Sequence, residues 1–173
     1  MKKTLLDTGP LFDFLLYRCI EEYGWESKKS SLVFIKSKKE KLLFVDYIMK
    51  FKPILIVPGV VVEVYSHAKR NFIKAYDLER FLFLVKKEIL NLCNEDEIVK
   101  LLDMPDSVFQ KYGPVDCNIY LAAKKYYLEQ NLNSVITGEK NQERNNLYYL
   151  CLAEGIPIVN IADIVNPKKA RQS

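Results

Sequence analysis

Asp7, Glu63, Asp116 and Glu139 are the residues of this chain whose type and placement could do chemistry. Each follows an apolar run or opens the helix after one. Asp7 closes Thr4-Leu5-Leu6, Glu63 follows Ile54 to Val62, and Glu139 closes Val135-Ile136-Thr137-Gly138. Asp116 opens an amphipathic stretch after Gly113-Pro114-Val115. In a parallel α/β sheet the carboxyl ends of the strands share one edge, and ligands bind there. Acids gathered at that edge raise one another's pKa unless a cation joins them. The set therefore points to a magnesium or manganese site for hydrolysing phosphodiester bonds, where the ion neutralises phosphate oxygens and acidifies water. Asp7, Asp116 and Glu139 would touch the ion, and Glu63 would hold one of its waters or a second ion. No histidine or cysteine is required, in keeping with a chain that has one His.

Each acid also has a plainer reading. Asp7 can be a strand-end cap, Glu63 a helix-surface acid, Glu139 a turn residue, and Asp116 an N-cap or first-turn acid. The chain has 22 acidic residues, so it is the joint pattern that raises the site above chance. His67, one turn after Glu63, reads as its partner rather than as a base.

The elements that must position these acids alternate along the chain. Residues 3–7 read as a buried strand, and Leu11 to Tyr23 as a helix after the turn Thr8-Gly9-Pro10. Residues 24–31 form a polar loop, and Lys38 to Phe51 a second helix ended by Pro53. Ile54 to Val57 is a strand, Pro58 starts the helix carrying Glu63, and a longer helix covers about Ile73 to Leu92. Residues 97–102 suit a short strand, and Gly113-Pro114 is a firm break. Val115 to Glu129 is an amphipathic helix, with Ile119, Tyr120, Ala123 and Tyr127 at helical spacing and Asp116 on their face. Ser134 to Thr137 is a strand, Asn141 or Gln142 to Glu154 a helix stopped by Gly155, and Ile156 to Ile161 a last strand. This order predicts a three-layer α/β/α fold with a central parallel sheet of four to five strands. Residues 1–165 form a single domain, and 166–173 a flexible basic tail.

Composition agrees with a globular domain. Hydrophobic residues are 49% and charged residues 28% of 173, enough to bury a core. The longest apolar stretch is broken by Pro58-Gly59 and is too short to span a bilayer. Asp7 interrupts the N-terminal apolar run before it could form a signal-peptide core, which predicts a cytoplasmic protein with no membrane contact. Cys19, Cys93, Cys117 and Cys151 form no CxxC pair, and Cys19, Cys117 and Cys151 read as buried thiols. A net charge of +4 is permissive for nucleic acid without requiring it.

Five pieces in order resemble the PIN domain family: Leu5-Leu6-Asp7-Thr8-Gly9-Pro10-Leu11; Val57-Pro58 with Val61-Val62-Glu63; Val115-Asp116-Cys117-Asn118-Ile119-Tyr120; Val135-Ile136-Thr137-Gly138-Glu139; and Gly155-Ile156-Pro157-Ile158-Val159. No single piece is specific, but together they cover nearly the whole chain. The resemblance implies a PIN-like domain acting as a Mg²⁺- or Mn²⁺-dependent ribonuclease, a class that includes VapC-type toxins of toxin–antitoxin pairs. It implies catalytic and metal-holding roles for Asp7, Glu63, Asp116 and Glu139, with Thr137 in support. The partners it implies are RNA, an antitoxin or other protein, and a second copy of the chain.

Lys69, Arg70, Lys140 and Arg144 lie near the acids in sequence and are candidates to hold RNA phosphates. The lysine run at 36–41 reads first as a solvated helix face. Most of Tyr120, Tyr126, Tyr127, Tyr148 and Tyr149 count as core by their helical spacing. Two departures from the family pattern stand out. The fourth acid is Glu139 rather than Asp, and Asn141 stands where a further acid often follows. They motivate a rival reading, a catalytically degenerate PIN-like module that binds RNA or a protein partner.

Overall fold

The structure, a computed structural model, describes residues 2–25, 37–50, 54–71, 75–92, 110–139 and 146–166. Strand β1 (Lys3–Leu6) leads directly into helix α1 (Thr8–Tyr23). Helix α2 (Lys38–Lys50), strand β2 (Ile54–Leu55), α3 (Pro58–Asn71) and α4 (Ala75–Leu92) follow. Then come α5 (Pro114–Leu128), β3 (Leu132–Thr137), α6 (Leu147–Ala153), β4 (Ile158–Asn160) and α7 (Ile161–Val165).

The four strands form one parallel sheet in the order β2-β1-β3-β4. The chain leaves β1 toward β2 on one side, then crosses back over β1 to reach β3 on the other. Helix α1 packs against α3 and α4, and α5 against α6, so the helices cover the sheet. The α/β class with helices covering a parallel sheet is therefore as expected. Strand composition fits that cover: the last three residues of β1 are buried, as are all of β3 except Asn133.

Helix α1 is buried continuously from Thr8 to Tyr17. It begins three residues before the sequence placed it, because Asp7 caps it and Pro10 suits its first turn. Phe12, Phe14, Leu15 and Leu16 on α1 join Phe44 and Ile48 of α2 and Phe81 and Leu84 of α4 in the core. Glycine matters most at one close approach. A Cβ at Gly59 would meet Val115 Cγ2 at 3.1 Å, so glycine lets the first turn of α3 lie against the first turn of α5.

Several expectations change in detail. β2 ends at Leu55, not Val57, and β4 covers only Ile158–Asn160. Ile161 opens α7 instead of closing a strand, because the Asn160 side chain accepts a hydrogen bond from the Ala162 N–H and caps a helix there. Tyr120 and Tyr126 are core, but Tyr127 and Tyr149 are exposed. Cys19, Cys117 and Cys151 are buried free thiols. The candidate strand at 97–102, Cys93, Asn141, most of the 24–31 loop and residues 167–173 of the tail lie outside the described residues. No helix among the described residues is long and apolar enough to cross a membrane.

Candidate active site

The direction of the chain reverses between β1 and β3, so their carboxyl ends flank the topological switch point of the sheet, where open α/β sheets place ligands. Asp7 follows β1 and Glu139 follows β3 by two residues. The Asp7 N–H donates to the Ile136 carbonyl at 3.0 Å, which extends the β1–β3 ladder and fixes Asp7 beside Thr137. Glu63 enters from α3 and Asp116 from the first turn of α5. All four acids line one cleft of about 310 Å³, together with Thr8, His67, Tyr112 and Gly113.

The hydrogen bonds hold three of the acids in place. The Thr137 hydroxyl donates to Asp7 Oδ2 at 2.8 Å, and Asp7 Oδ1 accepts from the Thr8 N–H at 2.6 Å. The Thr8 hydroxyl donates to Glu63 Oε2 at 2.5 Å, linking β1's end to α3. The Glu139 N–H donates to Thr137 Oγ1 at 3.1 Å, and Glu139 Oε2 accepts from the Tyr148 N–H at 3.4 Å. The Asn160 side-chain amide donates to the Glu139 carbonyl and ties that loop to the end of β4. Asp116 makes no such bond among the described residues.

Electrostatics follow from this placement. Burial pushes the Asp7 carboxyl above its ordinary range, and the Glu63 charge adds to the rise against the Thr137 and Thr8 hydrogen bonds. Asp116 is pushed up to about 8 by burial first, then by the charges of Glu139, Asp7 and Glu63. Burial likewise raises Cys151 to about 12, helped by Asp116, Glu139 and Asp7, so this thiol is not a nucleophile. His67 is held below its ordinary range by burial and by Arg70, against the pull of Glu63.

His67 is not hydrogen-bonded to Glu63 as the sequence suggested. Its Nδ1 lies 3.3 Å from Arg70 Nη2, while Glu63 is taken by Thr8. Of the candidate phosphate-holding residues, Lys69 and Arg70 are both exposed and outside the cleft lining, though Arg70 lies against His67, which is part of it. Lys140 and Arg144 lie outside the described residues. Thr8, Tyr112 and Asn160 were not singled out from sequence. Thr8 had one signal, its place directly after Asp7 at a strand-to-helix turn; the other two become site residues only through tertiary contact.

The donor set suits a hard cation: carboxylate and hydroxyl oxygens, with no free thiolate. Among the described residues no three His, Cys, Asp or Glu side chains stand close enough, as placed, to hold an ion. An ion in this cleft would keep several waters and touch one or two carboxylates directly, the mode typical of magnesium. The chain matches no family model, no curated protein and no solved structure.

Proposed function

We propose that the chain is a metal-dependent ribonuclease with a PIN-like site, hydrolysing RNA phosphodiester bonds at Asp7, Glu63, Asp116 and Glu139. One observation carries this reading. Acids from four separate segments line one cleft at the switch point of the sheet, where burial first and then the charges of Glu139, Asp7 and Glu63 raise Asp116 to about 8. A chain selected only for stability would place a lysine or arginine there, or an apolar side chain. A hard divalent cation bound in the cleft supplies the charge that phosphate oxygens require and acidifies water for attack. The residues of the chain then have separable tasks. Asp116 and Asp7 would hold the cation, Thr137 aims Asp7, Thr8 aims Glu63, and Glu63 would orient water at the cleft wall. Arg70 beside His67 offers positive charge to the substrate backbone.

One observation favours a second reading, a degenerate module that binds RNA without cutting it. Glu139 already spends one oxygen on the Tyr148 N–H, and no three described side chains are preset for an ion. The two readings separate on end-labelled single-stranded RNA incubated with magnesium or manganese, beside EDTA and the Asp116→Asn variant. Cleavage lost in both controls supports the nuclease. RNA left intact with either metal, yet still bound, supports the module. On either reading, a toxin–antitoxin role follows from the resemblance, and a cytoplasmic setting from the N-terminal sequence.

A further inference from the structure

Tyr112 lines the acid cleft and is half-buried, yet it is not among the aromatic side chains packed against the hydrophobic core. Its hydroxyl has no hydrogen-bond partner and its ring no aromatic neighbour among the described residues. What the ring does carry is a cation: Lys111 Nζ lies 5.0 Å from its centroid. Gly113 alone, at φ 83°, joins Tyr112 to the helix that begins at Pro114 and carries Asp116. The ring therefore borders the same cleft as the acids, two residues before the helix that carries Asp116 begins.

A polyanionic substrate is repelled by four carboxylates. It needs attraction from the cleft walls that does not depend on the floor. Aromatic rings supply this for unpaired bases, because every base has a π-face and stacking is indifferent to sequence. A neighbouring ammonium adds a contact for the phosphate of the same nucleotide. We propose that Tyr112, backed by Lys111, is a stacking platform that takes one unpaired nucleobase of single-stranded RNA beside the acid cleft. The proposal rests on the ribonuclease reading for the choice of RNA and deepens it by naming the strand state. Paired bases are stacked already and gain nothing from the ring.

The test measures binding without cleavage. A fluorescent 2′-O-methyl oligoribonucleotide, which lacks the free 2′-hydroxyl, is titrated with the full chain in EDTA and read by anisotropy. Tyr112→Leu, which keeps apolar bulk and loses the π-face, is expected to weaken binding by about 5- to 100-fold. Tyr112→Phe is expected to restore it. Lys111→Gln is expected to lower the dependence of log affinity on log salt by about one phosphate's worth. Equal affinity for the Leu variant and the parent overturns the platform, as does a parent that binds duplex as tightly as single strand or binds neither. Binding that depends on Tyr112 in a protein that never cleaves RNA with manganese upholds the platform and rejects the nuclease, so the two failures are distinguishable.

Discussion

Two groups of acids in this molecule are handled in opposite ways. On the side where α1 meets α4, acids are matched by cations. Arg18 reaches Glu88 at 3.1 Å and Glu21 at 2.8 Å, and Lys87 reaches Glu22 at 3.2 Å. Glu88 is as deeply buried as Asp7, and its carboxylate has a guanidinium beside it. At the carboxyl edge of the sheet, Asp7, Glu63 and Asp116 have no lysine or arginine ion pair among the described residues. Hydroxyls and main-chain N–H groups hold Asp7 and Glu63 instead. Hydroxyl donors fix the direction of a carboxylate and leave its charge uncancelled. Guanidinium partners cancel it. The contrast separates acids that the chain neutralises with its own cations from acids that it leaves without one.

The sharpest way to break this comparison is to neutralise one member of the uncancelled group. Asp116→Asn is expected to reduce metal-dependent RNA cleavage to the level seen with EDTA, with an unchanged far-UV circular dichroism spectrum. Cleavage at the parent's rate by this variant would falsify the site assignment. Next in size is the hydroxyl that aims Asp7. Thr137 is fully buried and serves both Asp7 Oδ2 and the Glu139 N–H. Thr137→Val keeps the shape and strands both partners. Cleavage is expected to fall about 10- to 100-fold, the usual cost of removing a group that orients a metal ligand. Thr137→Ser should recover most of it. If Ser and Val variants behave alike, Thr137 is only filling space.

The cancelled group should respond the other way. Arg18→Ala leaves the Glu88 carboxylate, 9% exposed, without its partner. Stability is expected to drop by about 1–3 kcal/mol, a range reduced from fully buried pairs because Arg18 itself is partly in solvent. Urea denaturation measures this, and RNA cleavage well below the transition should be untouched. A stability loss with intact cleavage here, set against lost cleavage with intact stability for Asp116→Asn, would establish two classes of acid in one small domain.

How much of this was legible from sequence differs between floor and walls. The four acids were readable because each sits at the boundary of an apolar run, and in a parallel sheet such boundaries share one edge. Thr137 was readable by its distance from Glu139 and the family resemblance. The walls were not. Tyr112 precedes a Gly-Pro break and looks like a loop residue until the fold brings it to Asp116's cleft. Asn160 sits inside the apolar run Ile156 to Ile161, which reads as one strand; its capping bond turns the last residue into a helix start. Tyr127 fits the helical spacing of α5's inner face, but Tyr126, one position earlier, takes the core place and leaves Tyr127 exposed. Periodicity gives the face of a helix and is one residue too coarse for its edge.

The smallest effect concerns the uncancelled charge itself. The folded Asp116 carboxyl sits at about 8 against an ordinary value of 3.8. Below pH 3.8 it is protonated folded or unfolded. Between there and about 8 the folded state holds a proton that the unfolded chain releases, so stability falls as pH rises across this window. Asp7, raised by burial, acts in the same direction. In EDTA the melting temperature is therefore expected to decline by several degrees between about pH 5 and pH 8.5, beyond any decline in Asp116→Asn. Manganese should flatten the parent's slope by competing with the proton for the same oxygens, and in EDTA the slope of Arg18→Ala should be as steep as the parent's. A parent that melts at one temperature across the range, with or without manganese, has no raised carboxyl at its sheet edge, and the difference between the two groups of acids would then lie only in which elements they join.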